Sequence, residues 1–240
     1  MRYMFWYLVG MADSRSLSER LATLPPGRHL VPRDFVAQNQ RERMLLATAE
    51  LVAERGYQKT TIELIAKTAR VALSTFYEQF SSKEECFLAA FDETIAAAAE
   101  VFDELLDPEQ PWAEQISAGL EIFLEMVARE PARARLCIVE SQAAGGEALA
   151  RYQGALERLA PKLREGREHN PRSSRLPDGL EVAIVGGLAW LVHQRLIADR
   201  VGEVKGLLPE MLQVTLTPYV GEVEAGRAAD AAQARAAAAA

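Results

Sequence analysis

Cysteine is almost missing from this sequence: Cys86 and Cys137 are the two residues of that type in 240. They lie far apart and form no C-x-x-C pair, which excludes a zinc ribbon or a disulfide scaffold and fits a reducing cytoplasm. Histidine is also sparse. His29, His169 and His193 stand at no metal-like spacing, so neither a metal nor a cofactor is expected. The sequence lacks G-x-S-x-G, a Walker glycine loop, H-E-x-x-H and a dinucleotide fingerprint, so no catalytic residue is nominated and the chain is read as a non-enzyme. Long apolar runs are missing as well. The longest, residues 182–192, has 11 residues, short of the ~20 that a bilayer requires. Residues 1–9 are apolar and aromatic, but no small-residue cleavage site follows, so neither secretion nor membrane attachment is expected.

What is present is ordinary globular composition, 49% hydrophobic and 25% charged, with charge unevenly spread. The net charge is −7, yet residues 1–70 carry 11 Lys and Arg against 7 Asp and Glu, while the remainder carries 16 against 27. A polyanion is therefore expected at the N-terminal end, and the acidic remainder discourages non-specific wrapping. Strand-like alternation is absent. Helical periodicity bounded by Pro, Gly and capping residues recurs, which predicts an all-α chain. The expected helices cover 38–55, 61–69, 73–80, 82–106, 112–130, 132–143, 147–168, 179–200 and 207–220. Residues 1–37 read as a flexible extension with one short amphipathic turn at 17–24. Residues 222–240 are Ala-rich with little to bury, and disorder is expected there.

Residues 60–80 carry the chemistry. Thr60 and Glu63 have capping-box spacing, and Ile62, Ile65, Ala66 and Ala69 share one helix face. Val71 plugs the turn, and Phe76 and Phe80 anchor a second short helix. Leu73, Ser74, Tyr77 and Glu78 are then expected to face outward, flanked by Thr75 and Gln79. Such a face fits a major groove, whose width admits one helix. Ser81, Ser82, Glu84 and Glu85 form overlapping capping boxes for the next helix, and Lys83 beside its first N–H groups suits a phosphate. The alternative from the residues alone is an ordinary packed helical corner.

The run T-T-x-x-x-I-A-x-x-A-x-V-x-x-x-T-F-Y-x-x-F-x-S-K-E-E resembles the DNA-binding signature of the tetracycline-repressor (TetR) family. The preceding R-E-R-M-L-L-A-T-A-E-L-V-A-E-R-G-Y from Arg41 to Tyr57 is also similar, and V-G-G-L, L-L-P-E-M-L and T-P-Y-V-G near the C-terminus resemble that family's dimerisation end. The resemblance implies a three-helix helix-turn-helix domain over 38–90 and a helical ligand-binding and dimerisation domain over 91–221. It implies phosphate contacts from Thr60 or Thr61, Thr75, Tyr77 and Lys83. Base-edge contacts are implied from Leu73, Ser74 and Glu78, with Gln79 in reach. Three positions depart from the pattern. Arg70 stands where the family has a turn glycine, Ala72 replaces a Ser cap, and Leu73 replaces a polar residue. Leu73 is read as meeting a thymine methyl, and Arg70 as adding a phosphate contact from the turn.

In the second half, the apolar run 182–192 with Gly186 and Gly187, together with 207–220, resembles the helix pair that dimerises such proteins. Two recognition helices must lie ~34–36 Å apart to read successive half-sites. The helices between would enclose an effector pocket, with Phe91, Phe102, Trp112, Phe123, Met126, Cys137, Tyr152 and Trp190 expected to face inward. Gln142 and His193 are its polar handles, and an apolar or aromatic small molecule is the expected effector. The whole reads as a dimeric, ligand-responsive regulator, a repressor released from a palindromic double-stranded DNA operator by tilting of helix 82–106. The competing readings are a protein-interaction module without DNA binding and an uncharacterised enzyme.

Overall fold

Glycine and proline punctuate a chain that is otherwise free to form helix. The computed structural model describes residues 33–171 and 175–238, and among them every regular element is a helix. In order these are α1 (Arg33–Arg55), α2 (Ile62–Ala69), α3 (Leu73–Gln79), α4 (Lys83–Leu105), α5 (Trp112–Arg129), α6 (Pro131–Ile138), α7 (Gly146–Glu157), α8 (Ala160–Arg164), α9 (Leu180–Ile197), α10 (Leu208–Val220) and α11 (Glu222–Ala238), with short 3₁₀ turns at Glu140–Gln142, Glu165–His169 and Val201–Leu207. The helix already runs at Arg33, inside the expected extension; the turn expected at 17–24 lies outside the described residues. Gly56 ends α1 at φ +82° and Gly221 ends α10 at φ +86°, left-handed positions that glycine takes without a Cβ penalty.

The chain divides into two compact units. The first takes the described chain up to Val101 together with Arg135–Leu149; the second takes Phe102–Ala134 and the chain from Ala150 onward. The first is built on Met44, Ala47, Val52, Ile65, Ala69, Phe76, Phe80, Phe87 and Phe91, all buried. Thr48 and Cys86 are buried among them, with Thr48 Oγ1 at 3.2 Å from Cys86 Sγ. Burial pushes the Cys86 thiol up to about 12, so it stays a protonated core residue.

The second unit departs from expectation in three places. The single helix expected over 147–168 is broken after Glu157 and resumes as α8. Pro161 has no N–H for the carbonyl four residues back, and Gly166 meets the Trp112 ring where any Cβ would collide. The tail expected to be disordered is α11. Ala225, Ala229 and Ala232 form a small-residue stripe on one face, buried as α11 packs against α10. Close approach of methyl groups supplies the burial that large side chains supply elsewhere, on the residue type with the highest helix propensity. Third, α9 is 18 residues long and by length and composition apolar enough to cross a membrane, a criterion that the 11-residue run alone does not meet. One side of α9, Ile184, Val185, Leu188, Val192 and Leu196, is already buried in its own unit. The other side carries Val182, Ala183, Gly186, Gly187, Trp190 and Ile197 in a continuous exposed stripe.

A buried polar knot ties α9 to its surroundings. Glu181 Oε1 accepts from Arg167 Nε at 2.7 Å and from Tyr219 Oη at 3.1 Å, and its Oε2 accepts from Arg167 Nη2 at 3.0 Å. Hydrogen bonds from Arg167 hold the Glu181 carboxyl below the usual carboxylate range, against the opposing effect of burial.

Candidate nucleic-acid interface

The corner begins with a cap. Thr61, not Thr60, is the N-cap of α2: its hydroxyl accepts from Leu64 N at 3.3 Å. Thr60 is 1% exposed and donates its hydroxyl to Gly56 O at 3.0 Å, so burial removes it as a phosphate contact and leaves Thr61 at the surface. The far end of α2 closes in a Schellman arrangement, with Val71 N bonded to Ala66 O at 3.0 Å and Arg70 N to Lys67 O at 3.2 Å. Arg70 holds the left-handed position, φ +55° and ψ +46°, at a strain of about 1–2 kcal/mol for a residue with a Cβ. Ala72 then starts α3 with no side-chain cap.

Helix α3 is fixed from beneath by Phe76 and Phe80, whose ring centroids are 5.6 Å apart, and Arg41 lies over the Phe80 ring at 4.5 Å. That anchoring leaves Leu73 at 42% and Tyr77 at 53% exposed, with Ser74 and Glu78 also exposed and Thr75 and Gln79 half-buried beside them. Lys59, Lys67 and Arg70 are exposed cations on the elements flanking this face. In the sequence Lys59 and Lys67 are isolated surface lysines and carry no signal.

Lys83 is turned away from that face. Its Nζ donates to Tyr57 O at 2.9 Å and to Thr60 O at 3.0 Å and lies 4.0 Å from the Tyr57 ring centroid. Burial lowers its pKa. The expected phosphate contact is thus replaced by a bond to the turn that precedes Thr61. The same turn is held from the other side by Glu140, whose Oε2 accepts from Tyr57 N at 2.9 Å, and by Gln58, whose Nε2 donates to Ala143 O at 3.0 Å. At the start of α4, Ser82 Oγ accepts from Glu85 N at 3.0 Å while the Glu85 carboxylate accepts from Ser81 N and Oγ at 2.7 and 2.6 Å. Sequence reasoning missed Glu140 and Tyr57, because their pairing spans 83 positions.

The residues nominated for an effector pocket fall in both units. Phe91, Cys137 and Gln142 belong to the first unit, where Phe91 and Cys137 are core and Gln142 is exposed. In the second unit Phe102, Phe123, Met126 and Tyr152 are half-buried, and burial raises the Tyr152 phenol. Trp112 is packed edge-on against Tyr219 at 5.1 Å with its Nε1 donating to Lys162 O at 2.9 Å, which makes it a structural pillar. Trp190 faces outward, not inward: it is 58% exposed on the α9 stripe and stacks on His193 at 5.2 Å. Burial lowers the His193 pKa, and its Nδ1 is buried without a hydrogen-bond partner among the described residues. The reason is register. Positions 190 and 193 fall on the stripe opposite the one that builds the core of the unit.

Residues 44–90, which contain this corner, match the family model for bacterial regulatory proteins, tetR family. The chain is 28% identical over 193 residues, 75% of its length and 83% of the relative's, to the HTH-type transcriptional regulator EthR of Mycolicibacterium smegmatis. Two solved structures share the fold. The fatty acid degradation regulator FadR from Bacillus halodurans has a TM-score of 0.64 at 21% identity, covering 73% of this chain and 97% of that one. The transcriptional regulator FadR from Bacillus subtilis in complex with stearoyl-CoA has a TM-score of 0.57 at 22% identity, covering 70% and 96%.

Proposed function

Because this chain belongs to the tetR family of bacterial regulatory proteins and is a DNA-binding transcriptional regulator, we propose that it is a dimeric repressor that leaves a palindromic operator when an apolar effector binds. One observation carries the proposal: α3 is clamped by Phe76 and Phe80 so that Leu73, Ser74, Tyr77 and Glu78 stand exposed together, with Thr61, Thr75, Gln79 and Arg70 around them. A short helix with polar and apolar side chains on its outer face reads base edges in a major groove. Thr61, Thr75, Tyr77 and Arg70 bind backbone phosphates and fix its register.

Dimerisation uses the exposed α9 stripe with Val214 of α10, which is also exposed. Gly186 and Gly187 have no side chain to keep a partner helix away, and Trp190 supplies the large apolar surface that interfaces favour. Residues Lys83 to Val101 of α4 belong to the first unit and the rest of the helix to the second, so α4 is one of three helices, with α6 and α7, in which the chain passes from one unit to the other. An effector releases DNA by binding more tightly to the conformer with α4 tilted, and the loss of DNA affinity cannot exceed that preference. The stearoyl-CoA complex of the Bacillus subtilis neighbour makes a long-chain acyl-CoA the first effector to try.

The test is a fluorescence anisotropy titration on duplexes recovered from a random library by the protein itself. Binding that weakens steeply with salt, falls about tenfold or more in Tyr77→Ala, and is reversed by stearoyl-CoA, through its apolar acyl chain, or by a wholly apolar ligand is expected. Absence of any salt-sensitive duplex would refute the proposal and favour a protein-interaction module.

A further inference from the structure

The turn between α2 and α3 has little of its own to hold it. Arg70 keeps left-handed backbone without being glycine, and Ala72 offers α3 no side-chain cap. The two Schellman bonds satisfy the carbonyls of Ala66 and Lys67 but leave those of Ala69 and Arg70 for another partner. That partner comes from α1. Arg43 Nη1 donates to Ala69 O at 2.7 Å and lies 3.4 Å from Arg70 O. The residue is 6% exposed, and its Nε has no hydrogen-bond partner among the described residues. Burial and the neighbouring Arg70 charge both disfavour its protonated form. Burying a cation beside another cation opposes folding. A methionine of similar reach would fill the space without that penalty, so what distinguishes arginine here is the bond to the end of α2.

We infer that Arg43 is a positioning residue for DNA reading: from α1 it fixes the terminal carbonyls of α2 and so sets the direction in which α3 leaves the turn. The inference rests on α3 being the DNA-reading helix. Base-edge hydrogen bonds tolerate little misalignment, whereas phosphate contacts carry no sequence information. Loosening the turn must therefore erode discrimination between DNA sequences more than overall attraction to DNA.

The experiment compares wild type, Arg43→Met, Arg43→Lys and the double variant Arg43→Met/Arg70→Gly, each confirmed folded by circular dichroism at the working temperature. Two readouts are taken: amide hydrogen exchange at Val71, and affinity for a duplex selected by the wild type relative to an unrelated duplex of equal length. Arg43→Met is expected to speed exchange at Val71 and to lower the affinity ratio, each by about tenfold, the scale of one charge-assisted hydrogen bond. Its salt dependence stays that of the wild type. Arg43→Lys, a single compact donor, falls between. Arg70→Gly relaxes the turn and restores most of the ratio in the double variant, because whatever phosphate affinity Arg70 supplies is common to the two duplexes and cancels. An unchanged ratio in folded Arg43→Met would overturn the inference. So would an equal loss on both duplexes with a salt slope lower by about one phosphate, which marks direct contact with DNA. If the wild type selects no duplex, the DNA-reading assignment fails, while exchange at Val71 still decides whether Arg43 holds the turn.

Discussion

At Arg70 the backbone takes the conformation of a glycine while carrying a side chain, and at Ala72 a helix begins without a cap. Both are local weaknesses with measurable size. Arg70→Gly is expected to raise stability by about 0.5–1 kcal/mol, the strain relieved less the added freedom of the unfolded chain. Ala72→Ser adds a cap worth about 1 kcal/mol. Urea unfolding checks both. Lys83 makes the opposite kind of test. Bound to the carbonyls of Tyr57 and Thr60, it is expected to cost about 1 kcal/mol of stability as Lys83→Met while leaving the salt slope of DNA binding unchanged. A slope lower by about one contact would restore it to the phosphate. Position and neighbours explain what sequence revealed here. The exposed quartet on α3 follows from helical spacing around Phe76 and Phe80, which is local. The inward turn of Lys83, the burial of Thr60 and the role of Arg43 depend on partners more than twenty positions away or on another element's shadow, and no local pattern encodes them.

Among elements, the α1–α2 turn is gripped from two sides, by Lys83 of α4 and by Glu140 of the 3₁₀ turn after α6. Glu140→Ala removes the acceptor for Tyr57 N–H and should accelerate its hydrogen exchange by about tenfold. Glu140→Gln keeps a side-chain carbonyl and should stay within about threefold of wild type. Equal behaviour of the two variants would show that charge, and not the hydrogen bond, matters. Helix positions were legible wherever Pro or Gly bounded a periodic stretch, as at Gly56, Pro111 and Gly221. Periodicity misleads where a proline sits inside the pattern, at Pro161, and where burial is achieved with alanine alone, in α11. Hydrophobic periodicity counts large side chains, so a small-residue stripe that packs on α10 looks like a tail with nothing to bury.

Taken whole, the molecule joins a unit that carries the helix-turn-helix corner to a unit with one exposed apolar helix face, and its expected response to acid and to mutation of that face follows. Glu181 has its carboxyl depressed mainly by Arg167. The stability this linkage contributes is fully present above the unfolded carboxylate value, about 4.3, and is lost as pH falls through the lower folded value. Urea midpoints of wild type should therefore drop between pH 6 and pH 3 (approximate limits, set by the same carboxylate range) by more than those of Glu181→Gln, which cannot titrate there. Trp190→Glu places a charge on the exposed α9 stripe and should shift sedimentation from dimer to monomer without unfolding, since the side chain is outside the core of its own unit. The central claim, that the outer face of α3 reads DNA sequence, is tested most directly by repeating the random-duplex selection with Leu73→Lys. An inverted repeat with half-site centres ~10–10.5 base pairs, or a multiple, apart is expected for both proteins, with the preferred base changed at one position in each half-site. An unchanged preference from a variant that still binds would contradict it.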